Sequence, residues 1–442
     1  MALLIGVNVA PDNSVVCYAC KPEWRRIRVT IPGERMSCQK RKDNAMHTIH
    51  VTRAVVVPDL LRLERYKKNP ELGPTLLFFS GGSALTRLSS RLKEYSHNTI
   101  HMVTPFDSGG SSAVLRKAFD MPSIGDLRSR MMALADMSIT GHPNIYRLFT
   151  YRFSREEENG ALLERLRRIC SGKERLIRAV PNPMRRLIRI QLGYFLERMP
   201  SSFDLRGASI GNLILAGGYL NNHKHLDPII FLFSKLVNVH GTVRAIVNDD
   251  LHLGVTLEDG SQILGQHRMT GKECPPLASP VKQLFLSADL DQREPAEATL
   301  RKKNGKLIRR AELICYPPGS FYSSLIANLL PNGVSRAIAT NHCPKVYVPN
   351  LGHDPEQIGM TMDDAIRTLL HYLQQGSGPQ YDRGDFINFV LIDSNPDTYP
   401  DRVSALLLDE LGIQLIETKL VRKRNAEQYD PALLASALLS LT

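Results

Sequence analysis

Four stretches of the sequence set glycine and serine just ahead of a helix-like run, two of them with charged residues as well. Residues 104–116 read TPFDSGGSSAVLR. Gly109 and Gly110 strip side chains from the approach, Ser108, Ser111 and Ser112 add hydroxyls, and Arg116 follows one turn into the helix. Such a set suits a phosphate held by free N–H groups at a helix start. Asp107 would repel a bare phosphate, so it fits a divalent cation, a proton acceptor or a partner for a ligand hydroxyl. The plainer alternative is an aspartate that bonds its own turn. Gly81, Gly82 and Ser83 in SGGSAL (80–85) repeat the logic without the GxGxxG spacing. Gly319 and Ser320 in PPGSFYSS (317–324) repeat it again, with Tyr322 either a ring for a base or sugar to stack on or a core tyrosine. Gly125, Asp126 and Arg128 in PSIGDLRSR are either a further wall of that site or an ion pair in a helix's first turn.

The elements that must position these loops alternate in period. TLLFFS, ALTRLSSRLKEY, TIHMVT and SSAVLRKAF read as strand, helix, strand, helix, and the pattern resumes through AELICY, PKVYVPN, a helix over TMDDAIRTLLHYLQQ, and FINFVLID. That predicts a doubly wound, largely parallel α/β sheet of Rossmann-like kind, whose ligands bind beyond the carboxyl ends of the strands. Residues 1–57 read as a small β-rich appendage, 58–74 as a linking helix, and 75–442 as the main domain with a helical insertion at 143–200. The run FYSSLIANLL reads as a helix, and LHLGVTLEDGSQILGQ as a hairpin.

Composition agrees with a globular chain, 43% hydrophobic and 23% charged over 442 residues, with no apolar run near the roughly 20 residues of a bilayer span. The start MALLIGVNVAPDN has no basic leader segment, and seven scattered cysteines form no disulfide framework, so a cytoplasmic protein is expected. The net charge of +12 calls for anionic partners, small phosphates or nucleic acid. Much of it lies in 152–198, where arginines alternate with Leu and Ile as on an amphipathic helix with a solvated face, and no DNA or RNA motif accompanies it. Cys17, Cys20, Cys38, His47 and His50 lack the second cysteine pair of a zinc ribbon and read as thiols and strand histidines. Asp249-Asp250 reads as a turn between strands.

In order along roughly 75–395, TLLFFSGGSAL, TPFDSGGSSAVLR, PSIGDLRSR, SIGNLILAG, YPPGSFYSSLIANLLPNGVSRAI and KVYVPNL resemble the family that joins YvcK-type gluconeogenesis factors to CofD, the 2-phospho-L-lactate transferase. The FDSGGSSA form is most similar to the CofD-like proteins of the so-called GAK system. The resemblance implies that these loops bind a UDP-sugar or a GDP-linked phospholactate. It adds Gly211, Asn212 and Asn350 to the site, and implies Asp107 as catalytic residue and ligand of Mg2+ or another divalent cation. It leaves open whether a phosphoester passes to an acceptor hydroxyl, or whether a non-catalytic sensor regulates carbohydrate metabolism through a protein partner. A homo-oligomer without membrane or nucleic-acid contacts is expected. Two departures stand out: Ala84 replaces a glycine of the YvcK GGGTGL loop, and Ser108 stands where those relatives carry a second aspartate.

Overall fold

The computed structural model describes residues 54–442 except 139–140 and 424–425, together with the backbone of three N-terminal strands. The chain divides into two compact units, Met1–Val56 and Val57–Thr442. In the first, β1 (Gly6–Val9), β2 (Val15–Tyr18) and β3 (Arg28–Val29) form an antiparallel sheet. The side chains of the Cys/His set lie outside the described residues.

The second unit is organised by seven strands. They are β4 (Leu76–Ser80), β5 (Ile100–Val103), β6 (Thr242–Ala245), β10 (Leu313–Tyr316), β11 (Lys345–Tyr347), β12 (Phe389–Asp393) and β13 (Gln414–Thr418). They lie in the order β13-β12-β11-β10-β4-β5-β6, and every pairing is parallel. Burial on both faces explains the unbroken apolar runs: each residue of β4, β5 and β10 is buried. The chain starts at β4, steps outward to β5 and β6, then returns to lay β10 on the other side of β4. The order therefore reverses between β4 and β10, where a crevice must open at the carboxyl ends of the strands.

Between β5 and β6 the chain is helical, and 143–200 holds four of these helices, from Pro143–Thr150 to Met184–Arg198. In Asn159–Ser171 Leu162, Leu166 and Ile169 are buried while Arg167 and Arg168 are exposed, the solvated basic face read from the spacing. The helix Leu60–Lys68 belongs to the large unit: Asp59 N–H donates to Ser440 Oγ at 2.8 Å and Arg62 Nη1 to the Ser440 carbonyl at 2.9 Å. An antiparallel excursion follows β6. β7 (His252–Leu257) and β8 (Gln262–Leu264) form the expected hairpin, and β9 (Val281–Ser287) pairs along the other edge of β7. Among the described residues no helix is long and apolar enough to cross a membrane.

Candidate functional site

The loop after β5 builds one wall of a cleft of about 370 Å³ at the carboxyl end of the sheet. Asp107 Oδ1 accepts the Gly109 N–H at 3.0 Å, so this aspartate does bond its own turn, and it also lines the cleft. Gly110 has φ +47°, a conformation that glycine adopts without strain. The helix Gly110–Phe119 begins there. The amides of Ser112 and Ala113 reach the Gly109 carbonyl, whereas those of Gly110 and Ser111 find no acceptor among the described residues. Ser111 Oγ accepts from Asn212 Nδ2 at 3.4 Å, and Asn212, only 2% exposed, leaves its Oδ1 without a donor. Such a buried orphan acceptor costs about 1–3 kcal/mol until a ligand hydroxyl or amide reaches it.

The helix Gly125–Leu134 supplies the facing wall. Burial first, then the charge of Asp107, push the Asp126 carboxyl up to about 7, against Arg130, Lys272 and Arg128, which pull it down. Asp107 and Asp126 line the same cleft, and a Cβ on Gly125 would lie 3.8 Å from Asp107 Oδ2. Arg130 is 1% exposed; burial pulls its guanidinium down to about 10, still charged at neutral pH. It donates to the carbonyls of Gly81 (3.2 Å) and Gly82 (3.0 Å) and to Ser89 Oγ (2.7 Å), bracing the loop after β4 from behind. Arg128 and Arg152 line the cleft; burial and the Arg152 charge lower the Arg128 guanidinium, whose Nε has no partner. An anion placed between them would relieve both.

A third wall comes from the segment after β8, which the sequence did not announce. Gln266, His267, Thr270, Lys272 and Glu273 all line the cleft. His267 Nδ1 lies 2.8 Å from Ser108 Oγ, and the His267 N–H donates to the same oxygen at 3.3 Å. Ser108 therefore pins this segment onto the loop after β5. Glu273 Oε1 lies 2.8 Å from where a Cβ on Gly109 would sit, so its carboxylate covers the glycine turn.

Of the residues singled out from sequence, Gly82, Asp107, Gly109, Gly110, Ser111, Ser112, Gly125, Asp126, Arg128, Asn212 and Ser320 meet in this cleft. The others support it or lie elsewhere. Gly81 lets two loops touch, since a Cβ there would fall 2.3 Å from Ser324 Oγ, and Ser83 opens the short turn Ser83–Leu85. Gly211 packs on the Phe149 carbonyl and the Arg128 stem. Arg116 is buried in an ion pair with Asp250 at 2.7 Å and also donates to the Leu251 carbonyl, so Asp250 is its counter-ion. Asn350 holds Gly319 at both backbone groups, 2.8 Å each.

The loop after β10 departs most from expectation. The expected helix is a π turn, Phe321–Leu325, followed by a 3-10 turn, Ile326–Asn328, and its first amides are already taken. Phe321 N–H donates to Asp354 Oδ2 at 2.7 Å, while Tyr322 and Ser323 N–H donate to Glu356 Oε2 at 2.9 and 2.7 Å. Burial and the Asp354 charge push Glu356 up to about 8, and burial raises the Asp354 carboxyl as well. The two acidic side chains thus close the amides at the start of this turn. Tyr322 is 3% exposed, set edge-on against Phe321, with its hydroxyl donating to the Val281 carbonyl at 3.3 Å; it is a core tyrosine and stacks on no ligand.

The parallel sheet, the switch-point crevice and the convergent glycine loops define a doubly wound α/β protein with a ligand cleft at the carboxyl edge. The sequence model described as "2-phospho-L-lactate transferase CofD" matches residues 76–421, and the chain belongs to that family. The gluconeogenesis factor of Bacillus subtilis strain 168 is 26% identical over 384 residues, 83% of this chain and 98% of that one. The gluconeogenesis factor of Halalkalibacterium halodurans is 28% identical over 302 residues, 68% of this chain and 74% of that one. A crystal structure of a UPF0052 family member from Bacillus halodurans superposes with a TM-score of 0.61 at 24% identity, covering 83% of this chain and 99% of that one, and shares the fold.

Proposed function

We propose that the cleft binds a nucleoside diphosphate-linked ligand of UDP-sugar or GDP-phospholactate type and transfers its phosphoester group to an acceptor hydroxyl. The observation that carries this is the facing pair Asp107 and Asp126, set between open helix amides on one side and Arg128, Arg152 and Lys272 on the other. The amides of Gly110 and Ser111 and the three cations bind the diphosphate; Asn212 Oδ1 orients a ligand hydroxyl. The acceptor oxygen forms a bond to phosphorus as the bond to the nucleoside monophosphate breaks, and its proton passes to Asp126, whose carboxyl burial and the Asp107 charge push up to about 7. Two carboxylates and serine hydroxyls are hard oxygen donors, and Mg2+ is held by one or two carboxylates plus substrate phosphates. Asp107 and Asp126 would hold such a cation, which would neutralise charge on the transferred group.

A second reading, a nucleotide-sugar sensor that regulates carbohydrate metabolism through a protein partner, is favoured by the relatives' name of gluconeogenesis factor. A thermal-shift screen of UDP, GDP and their conjugates, with and without magnesium and repeated in Asp107→Asn, tests the common premise; no shift with any of them removes it. Release of nucleoside monophosphate in the presence of acceptor separates transferase from sensor.

A further inference from the structure

A second cavity of about 390 Å³ adjoins the polar cleft, and the two share Ala84, Lys272 and Ser320 in their walls. Its character is different. Leu85, Leu88, Pro318, Leu351, Pro355 and Leu434 line it, whereas the cleft is lined mostly by glycine, serine and charged residues. The wall is held from behind: Asn350 ties Gly319 at N–H and carbonyl, and the hydroxyl of Tyr429, another lining residue, donates to the Pro349 carbonyl at 2.8 Å. A preformed, apolar space beside a phosphate-binding cleft has the form of a ring-binding pocket. The partition between the two is thin. Gly319 has φ +149°, and a Cβ on it would lie 3.5 Å from the Cβ of Ala84, which is itself exposed. Ala84 thus stands where the two cavities meet, and Lys272 lines both.

Resting on the diphosphate reading of the cleft, we infer that this second cavity seats the nucleobase of the ligand and that Ala84 gates its entry. A diphosphate conjugate has two ends. The sugar or phospholactyl end is polar and charged, and it suits the carboxylates and arginines of the cleft. The base is the flat, largely apolar end that leucine and proline walls accept, leaving its polar edge to the rim of Arg87, His353 and Gln428. This orientation places the reacting phosphoester beside Asp107 and Asp126 and the leaving nucleoside away from them.

The test is calorimetric titration of the full chain with pyrophosphate, UDP and GDP, on the wild type, Ala84→Leu and Ala84→Gly. Because the added methylenes would fill space the base needs, Ala84→Leu should weaken UDP or GDP roughly tenfold or more while pyrophosphate changes by less than about twofold. Ala84→Gly should bind all three at least as well as the wild type. Photolabelling with 8-azido-GDP or 5-azido-UDP should mark peptides containing Leu351 or Leu434. If the wild type binds pyrophosphate and nucleotides but Ala84→Leu treats them alike and those peptides stay unlabelled, the base lies elsewhere and this inference is overturned while the cleft reading stands. If the wild type binds none of the probes, both fall.

Discussion

The loops after β5 and β10 look alike in sequence and differ in what their amides meet. Both run strand, glycine, serine, turn, and both reach the same crevice. After β5 the N–H groups of Gly110 and Ser111 have no internal acceptor. After β10 the N–H groups of Phe321, Tyr322 and Ser323 are bonded to Asp354 and Glu356. A glycine-serine turn at a strand end leaves amides in search of an acceptor, and the rest of the fold decides whether side chains supply it. In this molecule one loop keeps its amides open, and its twin is closed by two acidic side chains.

Substitutions that add an acceptor to the open loop or remove one from the closed loop should separate the two. Ser111→Asp puts a carboxylate into the open cradle, and pyrophosphate affinity should fall roughly 100-fold in calorimetry, since charge-assisted bonds would be replaced by repulsion. In Glu356→Ala the buried amides of Tyr322 and Ser323 lose their acceptor; denaturant unfolding should show a loss of about 3 kcal/mol, with pyrophosphate affinity of the folded protein unchanged. Asp126→Asn isolates the carboxylate pair. The folded state raises this carboxyl from 3.8 to about 7, so it favours the protonated form, and the advantage is present below pH 4 and lost as pH rises through 7. The Asn variant should accordingly melt above the wild type at pH 8 and converge with it toward pH 4. Glu273→Gln, which removes charge from the carboxylate lying on Gly109, should tighten pyrophosphate roughly threefold. Smallest, Ser108→Ala should cost about 0.5 kcal/mol through the lost bonds to His267.

The alternation of strand and helix was legible because a sheet buried on both faces demands unbroken apolar runs such as LLFF in β4, and because glycine and serine collect at the ends of such runs. Eleven of the singled-out residues meet in the cleft for that reason. What was not legible depended on distance in the chain. The acids that close the β10 loop lie more than thirty residues downstream of it, and the counter-ion of Arg116 is 134 residues away. The segment carrying His267, Lys272 and Glu273 lies inside an antiparallel excursion, between β8 and β9, and bears no motif; its single hint was a lysine and a glutamate between Gly271 and the Pro275-Pro276 pair. Tyr322 misled because an aromatic after a glycine looks the same whether it faces a ligand or the core.

On the proposed function, the ligand's diphosphate is bound by the open loop and not by its closed twin. Hydrogen–deuterium exchange of the full chain with and without UDP or GDP reads both loops at once. Slowed exchange in peptides spanning 107–115, with 319–326 unchanged, is the predicted result; protection of 319–326 with 107–115 unaffected would contradict it.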